Sequence, residues 1–485
     1  MIRLSLTLLL FLPQFLLAQD CDCTQNLEWV IKTFTENDAG AQFAIDEKGE
    51  AAFQAHNERF RKTVKNIDQL SDCMSQLYQW LLFFRTGHLG IEPLQQGSNR
   101  NKSDQAALIA QYKDKEKYSV DIPSFKKKIT TAPTDGFEGI WRDANYTIGI
   151  QKEGETYIGF IIEADGIYWH EQQIKLRLQP YPKQEGYTAT YYMRDHSPRE
   201  LNKVTLYGNQ YLKVGFTLWE RQSPKVAPNA LSKGFIKDYK MLNADQPFIQ
   251  ALSDKTTLIR IPSFAYTYKA HLDSLLKAHH ADLLSAENLL IDLRDNGGGT
   301  DESYAMLLPY LYTNPIRIMG LEYWAGPGNI AYMEKILQDP EMPEDWKSWA
   351  KEILDKMNAQ PGTFVDVDSI AVYIHREDQV MASPKQVGIL INDICASSTE
   401  QFLLAAKQSK KAKLFGTTTA GNLDVSNLLQ VPSPCGEFNL IYCLTRSKGL
   451  PEMAIDGKGI QPDYHLDASI PIYEWINFTQ KVLEE

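Results

Sequence analysis

The sequence predicts an α/β protein built in three parts, and three observations carry that prediction. Residues 27–87 repeat apolar side chains at helical spacing. Residues 134–222 fall into short alternating segments cut by Gly, Asp and Asn turns. From residue 233 onward, strand-like and helix-like stretches alternate, the pattern of an α/β core. The 485 residues allow roughly two to four domains, and 43% hydrophobic with 11% aromatic content is that of a globular chain. A formal net charge of −11 argues against nucleic acid as a partner.

In chain order, residues 1–18 come first, with basic Arg3, an apolar run over 4–17 and small Ala18. They read as a secretory signal peptide cleaved after Ala18. The run is too short, and too broken by Pro13 and Gln14, to span a bilayer, and no other stretch is long and apolar enough. Asp20 before Cys21 argues against a lipoprotein. The chain is therefore expected to be exported, periplasmic or secreted. Its six cysteines are then free to pair. Cys21 or Cys23 is expected to join Cys73. A Cys435–Cys443 bridge is not expected, because about 8 residues at roughly 3.3 Å each along one strand hold them too far apart.

Residues 19–133 are expected to form an N-terminal helical domain and linker. Its main helix carries Cys73, Leu77, Trp80, Leu81 and Phe84 on one face and stops at Gly87, with His88 emerging next. Residues 95–102 are a polar loop, and one more helix lies within 103–128. Residues 134–222 are an antiparallel β module, a curled sheet or small barrel, in which Trp141 is a core aromatic. Residues 223–485 form the core. A strand at 289–293 leads into Arg294-Asp295-Asn296-Gly297-Gly298-Gly299, and a helical insertion at 329–358 is broken by Pro340 and Pro343. A buried strand at 387–391 precedes a helix opening at Ser397-Ser398-Thr399-Glu400. A further strand at 413–415 ends in a Thr/Gly-rich loop.

Two serines at a helix N-terminus just past a strand end occupy a place where backbone N–H groups point outward and developing negative charge is favoured. Ser397-x-x-Glu400 is equally a capping box, and one residue can serve both ends. The triple glycine lets N–H groups face an oxygen at close range. It lacks the spacing of nucleotide-binding loops, so an oxyanion hole is its better use. A nucleophilic serine needs a base. His88 sits at a helix exit before an apolar strand, whereas His279, His280 and His375 have no distinctive setting. Asp456, in the Gly/Pro-shaped loop 455–463, is the candidate acid.

Taken together, four segments resemble the tail-specific (C-terminal processing) serine peptidases over about residues 245–470. They are the run from Leu290 to Gly299, Ala396-Ser397-Ser398-Thr399-Glu400 with the strand before it, Phe415-Gly416-Thr417-Thr418-Thr419-Ala420-Gly421, and Asp456-Gly457-Lys458-Gly459-Ile460-Gln461-Pro462-Asp463. The resemblance implies a crotonase/ClpP-like α/β catalytic core. It also implies Ser397 as nucleophile and an oxyanion hole made by the N–H of Ser398 with that of Gly298 or Gly299. One branch of that family uses a lysine base where Asn422 stands here. The other, similar to the tricorn core peptidase, uses a histidine from an N-terminal helical segment and a late glutamate, which implies His88 and Asp456. Gly87 stands where that pattern has serine, and Asp456 where it has glutamate. The β module takes the place in which many relatives carry a PDZ domain, without a PDZ-like carboxylate-binding signature.

The expectation is an exported serine endopeptidase that cleaves peptides or unfolded proteins through an acyl-enzyme. It needs no metal or organic cofactor. The alternatives are a catalytically inactive peptidase-fold protein that binds a peptide or hydrophobic ligand, and an esterase with the same nucleophile.

Overall fold

A computed structural model describes residues 21–94, 102–133, 136–181, 186–201, 204–215 and 217–485. The expected signal peptide at 1–18 lies outside the described residues. The chain forms two compact units, one built from residues up to 94, 245–470 and 475–485, the other from 95–244 and 471–474.

At the centre of the first unit is a six-stranded sheet. Phe248–Ala251, Thr256–Arg260, Asn288–Asp292, Gln386–Ile391, Ala412–Gly416 and Tyr464–His465 lie side by side in that order. All neighbours are parallel except the first pair. Thr256–Arg260 and Asn288–Asp292 are buried at every position, as strands covered on both faces must be. Helix Ser398–Ala406 covers one stretch through Phe402, which meets Phe264 and Tyr304 at ring distances of 5.8 and 5.5 Å. Two adjacent parallel strands, Asn288–Asp292 and Gln386–Ile391, end in the glycine loop and in the loop before Ser397. The carboxyl ends of parallel strands are where ligands bind in such sheets.

A second sheet in this unit carries His88. Its long strand Phe438–Ser447 pairs on one side with Val425–Pro432 and on the other with Gly90–Pro93 and Leu321–Trp324. Helices Cys23–Asn37, Ala41–Lys48, Glu50–Thr63 and Leu70–Leu81 pack beside it around Leu27, Phe34, Leu77 and Trp80. The last of these ends at Leu81, not at the expected Gly87. Phe83 and Phe84 turn back to pack on Phe53 and Phe34, and their N–H groups close on Trp80 and Leu81 carbonyls. Cys23 pairs with Cys73 and Cys21 with Cys435, leaving Cys395 and Cys443 as buried thiols. Helices Pro327–Gln338 and Glu344–Ala359 flank the two breaking prolines.

Among the described residues the second unit holds nine antiparallel strands. The opposite edges of this sheet are Pro198–Leu201 and Val204–Tyr207. Only two residues separate these edges in sequence, a reach of at most about 11 Å. The sheet must therefore curl until its ends are neighbours. Trp141, Trp169 and Trp219 fill its interior. Inside it the Lys175 ammonium, bonded to the Tyr192 carbonyl at 2.6 Å, lies over the rings of Trp169, Tyr191 and Tyr146. Burial pulls its pKa down to about 7. Among the described residues no helix is long and apolar enough to cross a membrane.

Candidate active site

Ser397 is the N-cap of its helix and has φ 59°, ψ −128°. A serine at positive φ is an uncommon, strained conformation, sustained only when its surroundings fix it. Here the Ser397 N–H donates to the Asn422 carbonyl at 3.0 Å and lies 3.3 Å from Glu400 Oε2. Glu400 is buried, and its carboxylate also accepts from Thr419 Oγ1 at 2.5 Å and from the N–H groups of Gly421 and Asn422, both at 2.8 Å. Burial raises its pKa, while those donors oppose the shift. Glu400 thus ties the Thr/Gly loop to the first turn of the serine's helix.

The glycine loop is anchored with equal care. Asp292, Arg294 and Arg260 form a fully buried charge cluster, with Arg294 gripping Asp292 at 2.8 and 2.9 Å. Although buried, Asp292 is held below the usual carboxylate range by the two arginines. Asn392 and Asp295 exchange hydrogen bonds of 2.6 and 2.9 Å across the two loops. Asn296 Oδ1 takes the Gly298 N–H at 3.0 Å, and its carbonyl accepts from Ala396. Gly298 has φ 101°, and a Cβ there would sit 2.7 Å from Ala396 O and Ser397 Cβ and 3.0 Å from Ser398 N. Only glycine lets the loop lie this close to the serine.

The two expected glycine donors differ in their partners. The Gly298 N–H is committed to Asn296. Among the described residues, the N–H groups of Gly299 and Ser398 are given to no acceptor, so this pair is the one available for an oxyanion.

His88, at φ 54°, is fixed from both ends. Arg85 forms a buried double hydrogen bond with Asp38 at 2.7 and 2.6 Å and donates to the carbonyls of Gly87 and His88. The His88 ring places Nδ1 2.6 Å from the Val425 carbonyl. A carbonyl only accepts, so Nδ1 carries the hydrogen and Nε2 is left as the basic nitrogen. Burial lowers the His88 pKa; the Val425 bond and the charge of Asp456 oppose that shift.

The histidine and serine segments meet on Asn422. Its carbonyl receives the Ser397 N–H, and its side chain covers Gly87 so closely that a Cβ at residue 87 would overlap the amide group. No direct hydrogen bond joins Ser397 Oγ to His88 among the described residues; such bonds often form only with substrate in place.

Asp456 makes no hydrogen bond to His88 among the described residues. Its Oδ1 accepts the N–H groups of Leu423 and Asp424 at 2.7 and 2.8 Å, while Asp424 Oδ2 accepts those of Ile455 and Asp456, both at 2.7 Å. The two aspartates swap carboxylates to clamp two loops together. The atom bonded to the imidazole is the Val425 main-chain oxygen, and the charge of Asp456 is felt at His88. Sequence reasoning missed Asn296, Asn392, Asn422, Glu400 and Arg85 as parts of the site. The signal available for all but Arg85 was their place inside or beside the quoted motifs. Among the described residues no group of three His, Cys, Asp or Glu side chains is placed to hold a metal.

Residues 255–466 match peptidase family S41. Of solved structures, mature CPAF is similar over 96% of this chain and 96% of its own, at 12% identity and a TM-score of 0.52. Mature CPAF complexed with lactacystin is similar over 96% and 97%, at 12% and 0.51. The photosystem II D1 C-terminal processing protease is similar over 96% and 97%, at 12% and 0.39. At such identities the likeness to CPAF speaks to the fold alone. No curated protein matches this chain in sequence.

Proposed function

We propose that this chain, which belongs to the serine-type peptidases of family S41 through residues 255–466, is an exported endopeptidase using Ser397 and His88 on a crotonase/ClpP-like core. The observation that carries the reading is the meeting of the two segments on Asn422, beside two uncommitted N–H groups. His88 Nε2 takes the proton of Ser397 Oγ as that oxygen attacks the peptide carbonyl carbon. The N–H groups of Ser398 and Gly299 receive the oxyanion, worth about 3–4 kcal/mol each by analogy with known holes. The imidazolium is held by the Val425 carbonyl and favoured by the nearby charge of Asp456. It returns the proton to the leaving amine, and water then releases the acyl group by the same steps. Two disulfides support export to an oxidising compartment.

A fluorophosphonate probe tests this directly. The expected result is labelling of Ser397 and peptide cleavage that falls on the order of 10⁴-fold or more in Ser397→Ala. Unchanged cleavage by that variant overturns the reading. A folded wild-type protein that neither labels nor cleaves supports the inactive binder instead.

A further inference from the structure

A cavity of about 480 Å³ opens in the first unit between the helical insertion and the second sheet, within the size range of built ligand sites. Leu429 and Leu444 are its buried floor, and Tyr323 and Trp349 stand edge to face at 6.3 Å as one wall. Trp346 packs 5.8 Å from Trp349 yet is 50% exposed, and Leu428 at the mouth is 52% exposed. Large apolar groups left open together around a hollow mark a binding surface rather than a stray side chain.

The cavity also connects to the catalytic apparatus through the chain. Glu302, on its rim, is three residues beyond Gly299. Asn427, Leu428 and Leu429 follow Val425, the partner of His88, along the strand Val425–Pro432. That strand pairs only with Phe438–Ser447 among the described residues, so it is a sheet edge. A second acid, Asp345, completes the rim. Neither carboxylate makes an ion pair among the described residues. The adjacent Lys347 is committed to Glu344, and Lys269, whose charge senses Glu302, is committed to Asp273.

We propose that this cavity is a substrate-selecting pocket that takes a bulky aromatic or branched apolar side chain of the peptide being cleaved, with a neighbouring lysine or arginine set against Glu302 and Asp345. This deepens the peptidase reading and rests on it. The apolar walls fix the size of the preferred side chain. The unpaired acids fix the sign of its neighbour, and the −11 net charge of the chain draws basic peptides in.

Matched fluorogenic peptides that differ only in a Phe-Lys or Ser-Glu pair flanking the scissile bond test it, alongside fluorophosphonate labelling of the full chain. The Phe-Lys peptide is expected to be cleaved at least about 10-fold better in kcat/KM. Trp346→Ala and Leu428→Ala should reduce the discrimination for Phe, and Glu302→Gln the discrimination for Lys, each by about 3- to 10-fold. Both target side chains in the first two variants are half exposed, so folding is not at stake. Reading each variant as a ratio between peptides cancels any general loss of rate. Normal labelling of Ser397 with no preference between the peptides, or with ratios unmoved by every variant, overturns the pocket while leaving the peptidase reading intact. Absence of labelling in the wild type removes both.

Discussion

His88 owes its usefulness as a base to a carbonyl. The Val425 oxygen leaves only one tautomer open, and the Arg85–Asp38 pair grips the backbone that carries the ring. The neighbouring Gly87 and the distant Asn422 are complementary in shape: the amide group occupies the volume that a side chain at residue 87 would need. In sequence each looked like a departure from the tricorn-like or lysine-dependent pattern. In space they are one adjustment. Gly87→Ser is expected to lower kcat/KM at least about 10-fold by displacing His88 or Asn422, whereas adding Asn422→Gly should recover much of that loss. Residues sharing a contact couple in this way. Steady-state kinetics on the two single variants and the double variant measure the coupling; strictly additive losses would refute it.

At the scale of elements, the loops 421–424 and 454–459 are locked by the exchanged aspartates. Burial, with the charge of Asp456 close by, pushes the Asp424 pKa up to about 6. Between the ordinary carboxylate value and about 6, the folded protein keeps a proton that the unfolded chain has lost. The stability due to Asp424 is therefore full at low pH and is lost as pH rises through about 6. Asp424→Asn preserves an acceptor for the two N–H groups and removes that slope. Melting curves at pH 4 and pH 7 should show the variant gaining at least about 2 °C relative to wild type on moving to the higher pH; a parallel response would refute the assignment. The strands and the helix around Ser397 were legible in the sequence because a covered parallel strand writes itself as an unbroken apolar run. The partner of Asp456 was not legible. Which donor meets a loop carboxylate is settled by the convergence of segments 30 residues apart, and no local pattern encodes it. The helix ending at Leu81 was misjudged for a related reason: Gly87 has the right chemistry for a helix stop, but it is used for close approach to Asn422.

For the molecule as a whole, the Cys23–Cys73 bond joins the first and last of the four N-terminal helices, across a separation of 50 residues, and Cys21–Cys435 joins the start of the described chain to the turn between the strands Val425–Pro432 and Phe438–Ser447. Closing such loops restricts the unfolded chain, typically by about 2–4 kcal/mol each. Cys73→Ser is expected to cost the first unit about that much in a urea melt, and reduction should act in the same direction. A variant as stable as wild type would show that the helices hold without the bond. That Cys73 would pair with the N-terminal cysteines was readable, because the bond staples the start of the chain to a helix, but the sequence left Cys21 and Cys23 as equal candidates. The pairing of Cys435 was not readable, since its partner lies 414 residues away.

Among the described residues Gly90–Pro93 finds its partner only in Phe438–Ser447, and the ring beside it rests on Val425. A nascent chain, or a fragment cut short before that strand, has nowhere to lodge its imidazole, however complete its amino-terminal helices are. On the proposed mechanism, hydrolysis switches on only once residues 425–447 have been made and have paired, which shields the cell that makes the protein from a prematurely armed product.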